Sequence, residues 1–234
     1  MHKPDTAAHL IVVLTALAST CALPAQAQSG PALDVSGQIG VASAFVGKGL
    51  GKSNGEISPF ASVEIEAGAA YASVFVASAE LAQGADAEII SAIGYRPKLG
   101  AISLDLSLIN RDLPGTRAGV DSNFFEYQID ASRKFGPVNA RLRINYTPDG
   151  FAATQEAWWT ELQGTVSLDD QTKVSAAIAD RTADGGASYV AWNVGARRKL
   201  TDRISLDLRY FDTDSPQISA SYEDRVVASI ALSI

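Results

Sequence analysis

Two sets of charged side chains carry whatever chemistry this sequence can do. Glu64, Glu66, Glu88, Asp105, Glu126 and Asp130 stand in the first half of the chain. Arg141, Arg143, Lys173, Arg197, Lys199 and Arg209 stand in the second, interrupted by Glu161 and Asp207. No two of the carboxylates have a spacing that demands a general acid and base. Rows of opposite charge can act without a reaction, however. Facing each other across water, they create a transverse field that orients small polar solutes and slows apolar ones. The same residues can instead pair across the interior and fill it, and the sequence leaves both readings open.

What is missing narrows the chemistry further. The only histidines are His2 and His9 and the only cysteine is Cys21. All three fall within residues 1–27, which read as a secretory signal peptide: Lys3 precedes an apolar run from Leu10 to Ala18, and Ala25 and Ala27 frame a small-residue cleavage signature. The run is shorter than the ~20 residues that a membrane anchor requires. Residues 28–234 then hold no imidazole base, no thiol and no Cys or His for zinc, so no enzyme chemistry and no cofactor or metal is expected.

The charged residues must be positioned by strands, because they alternate with apolar ones. Val138, Ala140, Leu142, Ile144 and Tyr146 share one parity while Asn139, Arg141, Arg143 and Asn145 share the other. Ile204, Leu206, Leu208 and Tyr210 oppose Ser205, Asp207 and Arg209 in the same way. In a strand, parity is a face. Twelve such stretches are expected near 33–46, 57–67, 70–80, 87–96, 101–111, 124–135, 138–148, 157–168, 173–181, 188–200, 203–213 and 223–234. Parity is least clear in 70–80, where Tyr71 and Phe75 oppose Val74 and Val76. Connections at 68–69, 97–100, 136–137, 169–172 and 201–202 are tight, and those between them are longer.

That pattern predicts an all-β, antiparallel transmembrane β-barrel of about twelve strands over residues 28–234, with short periplasmic turns and longer extracellular loops. An even strand count puts both strand ends on the short-turn side. Phe45, Tyr127, Tyr146, Trp158, Trp192, Tyr210 and Tyr222 stand on the apolar parity near the long loops, as an interfacial girdle requires, with Tyr95 and Phe135 at the other end. A soluble sandwich also alternates, but it would place its aromatics at mid-strand. Net charge of −7 and a pI near 4.8 exclude a nucleic-acid binder. Gly47 to Ser53 superficially suggests a phosphate loop, but Val46 occupies the position of the required first glycine, and the segment is read as a flexible surface loop. Asp212 to Ser215 and Asp184 to Gly186 lack the ligand periodicity of a calcium loop.

Three segments carry a family resemblance: Val41-Ala42-Ser43-Ala44-Phe45-Val46-Gly47-Lys48-Gly49, then Ala92-Ile93-Gly94-Tyr95-Arg96-Pro97, then Leu104-Asp105-Leu106. They resemble the TorF family of porins, a proteobacterial family of outer-membrane β-barrels, over roughly residues 33–234. Val46 stands where that family often has arginine, and the chain ends on Ile234 where outer-membrane barrels usually end on an aromatic. The resemblance implies a pore or uptake role with no defined substrate.

The expectation is a bacterial outer-membrane, porin-like channel for passive diffusion of small polar or charged solutes, lined by the charged residues above. Its partners would be outer-membrane lipid, the outer-membrane assembly machinery and small solutes. The alternative is a closed structural or interaction barrel with no pore activity. A barrel-embedded lipid-modifying enzyme is disfavoured by the missing histidine.

Overall fold

A computed structural model describes residues 32–234 apart from residue 153. The twelve long strands are β1 (Leu33–Ala42), β2 (Ser58–Ala67), β3 (Ala70–Ser78), β4 (Ala87–Tyr95), β5 (Ile102–Asp112) and β6 (Asn123–Phe135), followed by β7 (Val138–Gly150), β8 (Gln155–Ser167), β9 (Thr172–Ala183), β10 (Tyr189–Lys199), β11 (Ile204–Thr213) and β12 (Arg225–Ser233). Each pairs antiparallel with its neighbours in sequence, and β12 returns to β1 through Gln38↔Ser233 to Ala42↔Ser229. The sheet therefore closes on itself and leaves no strand edge unpaired.

Tight turns set this register locally. Between β6 and β7, Gly136 adopts φ +58 before Pro137, the positive φ at the first central position that a two-residue hairpin of primed type demands. Between β8 and β9, Asp169 Oδ1 accepts the backbone N–H groups of Gln171 and Thr172 at 2.7 and 2.6 Å. Between β10 and β11, Thr201 Oγ1 accepts those of Arg203 and Ile204. Side-chain oxygens thus replace the ladder bonds lost where the chain reverses.

Register converts parity into sides. Cross-strand partners such as Arg141↔Gln163, Gln163↔Ala177 and Ala177↔Asn193 carry one face from strand to strand into the barrel interior. The other parity is apolar and faces outward, with Ile93, Ile129, Leu162, Ile178, Val194 and Leu208 each more than 45% exposed. Such a belt is what a lipid-facing wall requires. Tyr127, Tyr146 and Trp158 join it near the long loops in one stack, with centroids 6.3 and 4.5 Å apart. In β3 the mixed parity resolves by pairing: Tyr71↔Gly94 and Phe75↔Ser62 put both aromatics on the inward side.

The first strand departs from expectation. It stops at Ala42 rather than 46, and residues 44–53 turn inward instead of forming a surface loop, while 54–57 stay exposed. Val46–Gly47 pairs with Leu50–Gly51 in a small hairpin inside the barrel. Two girdle assignments fail with it: Phe45 lies 5.9 Å from the inward Phe75, and Tyr222 packs edge-on against the inward Tyr189 at 5.2 Å.

Replacing Leu208 on the outer belt with arginine is expected to cost about 2–4 kcal/mol of folding stability in lipid vesicles. Reversible urea unfolding followed by heat-modifiable gel mobility measures it. No loss would refute the outward assignment.

Candidate functional site

The interior has two halves of different character. Toward the long loops it is narrowed by the hairpin of residues 46–51. Lys48 Nζ donates to Glu126 on β6, and Lys52 Nζ to Glu88 on β4 at 2.6 Å. Arg111 on β5 stands between them, donating to Glu88 at 2.5 Å and to Glu126 at 2.9 Å. Both carboxylates are about 1% exposed. Two acids thus serve three cations with no water-facing group among the carboxylates.

Burial at this depth carries a desolvation cost. It pushes the Lys48 ammonium down to about 8, against the attraction of Glu126. Lys52 is lowered for the same reason, against Glu88. The hairpin therefore sits in the lumen with its ammonium solvation only partly replaced.

Packing fixes the tip of the hairpin from the far side. Tyr189 donates its hydroxyl to the carbonyl of Lys48 at 2.7 Å. Leu50 and Tyr222 cover Trp159, Tyr189, Ala179 and Ala191 in an apolar cluster. Gly49, at φ +79, rests so close to Ala191 that a Cβ on it would fall 2.5 Å from the alanine methyl. Only glycine combines that backbone with that approach.

The half toward the short turns is open. On one wall, Arg96 donates from Nη1 and Nη2 to Glu64 at 2.8 and 2.9 Å, contacts Glu66, and donates from Nε to Asp105 at 3.1 Å. It stacks 3.8 Å from the Tyr71 ring, whose hydroxyl donates to Asp105. On the other wall a cavity of about 440 Å³ is lined by Arg141, Arg143, Lys173, Arg197 and Arg209, with Glu161 and Asp207. A further space of about 170 Å³ shares Arg143, Glu161 and Asn193 with it and runs beneath Lys48 and Gly49. Beyond the hairpin, a third of about 350 Å³ opens among Leu81, Phe124, Phe151 and Arg181. Lys48, Arg111 and Trp159 line both of the last two, so a hairpin residue and two wall residues form the boundary between them.

Every charged residue singled out in the sequence falls on the inward parity of its strand. Glu64 and Glu66 lie on β2, Glu88 on β4, Asp105 on β5, Glu126 and Asp130 on β6, Arg141 and Arg143 on β7. Glu161 lies on β8, Lys173 on β9, Arg197 and Lys199 on β10, Asp207 and Arg209 on β11. They are not two bare rows, however. Arg143 binds Asp130 at 2.6 Å, Arg141 binds Glu161 at 2.6 Å, and Arg197 and Arg209 each stand 3.5 Å from Asp207. The acidic row is met by Arg96, Arg111, Lys48 and Lys52, none of which the sequence reading placed inside. For Arg111 the parity of β5 was a usable signal; for the two lysines nothing local was, because a loop has no face. Ala25 and Ala27, the expected cleavage residues, lie outside the described residues.

Unseating the hairpin tests this arrangement. Lys48 and Lys52 are the only trypsin sites in residues 43–57. The refolded protein is expected to resist cleavage there, and Gly49→Val to become cleavable at both. Equal resistance of the variant would mean that Ala191 does not seat the tip.

Known structures share this architecture. The KdgM porin superposes with a TM-score of 0.59 at 8% identity, covering 87% of this chain and 99% of its own; it has also been solved in complex with disordered oligogalacturonate. The NanC porin gives 0.56 at 9% identity, over 86% and 98%. The COG4313 outer membrane channel from Pseudomonas putida F1 gives 0.50 at 12%, over 90% and 99%. At these identities the likeness is one of fold. No curated protein matches the chain. A family model does, over residues 25–232, and the chain accordingly belongs to the Gcw_chp family of bacterial proteins of unknown function.

Proposed function

We propose that the protein is an outer-membrane channel for passive diffusion of small polar or charged solutes, with residues 46–51 as its constriction. The observation that carries this reading is the unfilled, charged lumen: cavities of about 440 and 170 Å³ run past ionic side chains up to the hairpin. A barrel built only for structure gains nothing from buried charges around empty space, since each one costs solvation. The TorF resemblance in residues 41–49, 92–97 and 104–106 supports the same role, as does the shared fold of small outer-membrane porins.

The lumen charges then act unequally. Glu88 and Glu126 hold the constriction. Glu64, Glu66 and Asp105 form one wall of the periplasmic half, and Arg141, Arg143, Lys173, Arg197, Lys199 and Arg209 the other, tempered by Asp130, Glu161 and Asp207. A transverse field survives in this half, where three carboxylates share Arg96 opposite a wall with more cations than acids. Nothing in the proposal calls for enzyme chemistry.

A specific observation favours a second reading. The apolar cluster of Trp159, Tyr189, Leu50 and Tyr222 and the buried ionic network close the extracellular half together. Under that reading the barrel stays shut and its loops do the work.

Planar-bilayer conductance of residues 28–234 separates the two. Discrete, salt-dependent steps are expected, growing at least about twofold when residues 46–51 are replaced by a short Gly-Ser linker. Charge reversal at Arg197 and Lys199 is expected to shift ion selectivity toward cations. A folded barrel without steps, in both the native and the linker form, would overturn the channel reading.

A further inference from the structure

We infer that the basic wall of the periplasmic half is a binding site for small organic polycarboxylates. The inference deepens the channel reading by naming a solute class for the same lumen, and it rests on that reading for its physiological use.

The wall holds more positive charge than its own carboxylates can satisfy. Arg197 and Arg209 divide one carboxylate, Asp207, and both stand at 3.5 Å from it, beyond the distance of a short charge-assisted hydrogen bond. Arg141 keeps its Nε buried with no hydrogen-bond partner, although Nη2 reaches Glu161. Lys173 makes no ion pair among the described residues. A wall so built lacks acceptors, and the missing chemistry is anionic oxygen at several points.

Two of its donors, Arg209 and Arg143, are also held in place, while Lys173 and Arg197 stay exposed to the lumen. Arg209 lies flat across Gly195, where a Cβ would fall 2.8 Å from its own Cβ, and so reaches Asn193 at 2.6 Å and Ser175 at 2.9 Å. Arg143 is oriented by both oxygens of Asp130. Fixed donors bind an anion with less ordering cost than free ones. The cavity before them, about 440 Å³, falls within the range of small-molecule sites. A lone monovalent ion satisfies one or two of these groups; a molecule with two or three carboxylates spans Lys173, Arg197 and Arg209 together. The acids tied to Arg96 belong to the opposite wall and hold such an anion to this one.

Isothermal titration of citrate into the refolded full barrel in zwitterionic detergent at low salt tests the site. Saturable binding is expected, weakened about tenfold or more by Lys173→Gln with Arg197→Gln. Arg198→Gln, which removes the same type of charge from a residue on the outward parity, should leave it unchanged. No saturable heat, or equal weakening in the Arg198 variant, would overturn the site. Measured beside conductance, the outcomes separate: binding without current keeps the site and removes the channel, while current without binding removes the site alone.

Discussion

Closure of the backbone ladder is the constraint on which everything else in this molecule depends. Twelve strands paired in a ring satisfy their N–H and C=O groups without water and without an edge. Only then can the outward parity be mostly apolar while the inward parity carries the charged side chains beside a smaller apolar cluster. A sandwich with the same alternation would have to fill its interior with the bulky side chains that here face out.

A ring of this size encloses more space than its inward side chains fill, and the chain deals with the two ends differently. At the long-loop end it inserts its own residues 44–53. Two lysines enter a region already holding Glu88, Glu126 and Arg111, and an apolar tip rests on Trp159 and Tyr189. The ionic part carries a desolvation cost that its carboxylate partners oppose, and the apolar tip adds packing of its own.

At the short-turn end nothing is inserted, and the walls keep their own charges. On the basic wall pairing is local, between neighbouring strands: Arg141 with Glu161 from β7 to β8, Arg143 with Asp130 from β7 to β6. Local pairing leaves the axis of the barrel free. It also leaves each wall its surplus, negative around Arg96 and positive around Arg197 and Arg209.

Much of this was legible in residue order. Alternation, turn residues such as Gly136 and Asp169, and the tight-then-long rhythm of connections determined strand number, order and the inward parity of residues such as Arg143 and Glu126, because strand geometry ties position to face within a few residues. The ends of strands resisted, as at Ala42, because pairing and not pattern decides where a ladder stops. Loop fate resisted altogether. Gly47 to Ser53 reads as a mobile surface segment from its composition, yet it lies in the lumen, because the partners that hold Lys48, Gly49 and Lys52 are Glu126, Ala191 and Glu88, brought together only by closure of the ring. The sequence alone determined which residues could face water inside a barrel; tertiary structure decided which of them meet, because ion pairing and plugging depend on distances across the lumen that no local periodicity encodes.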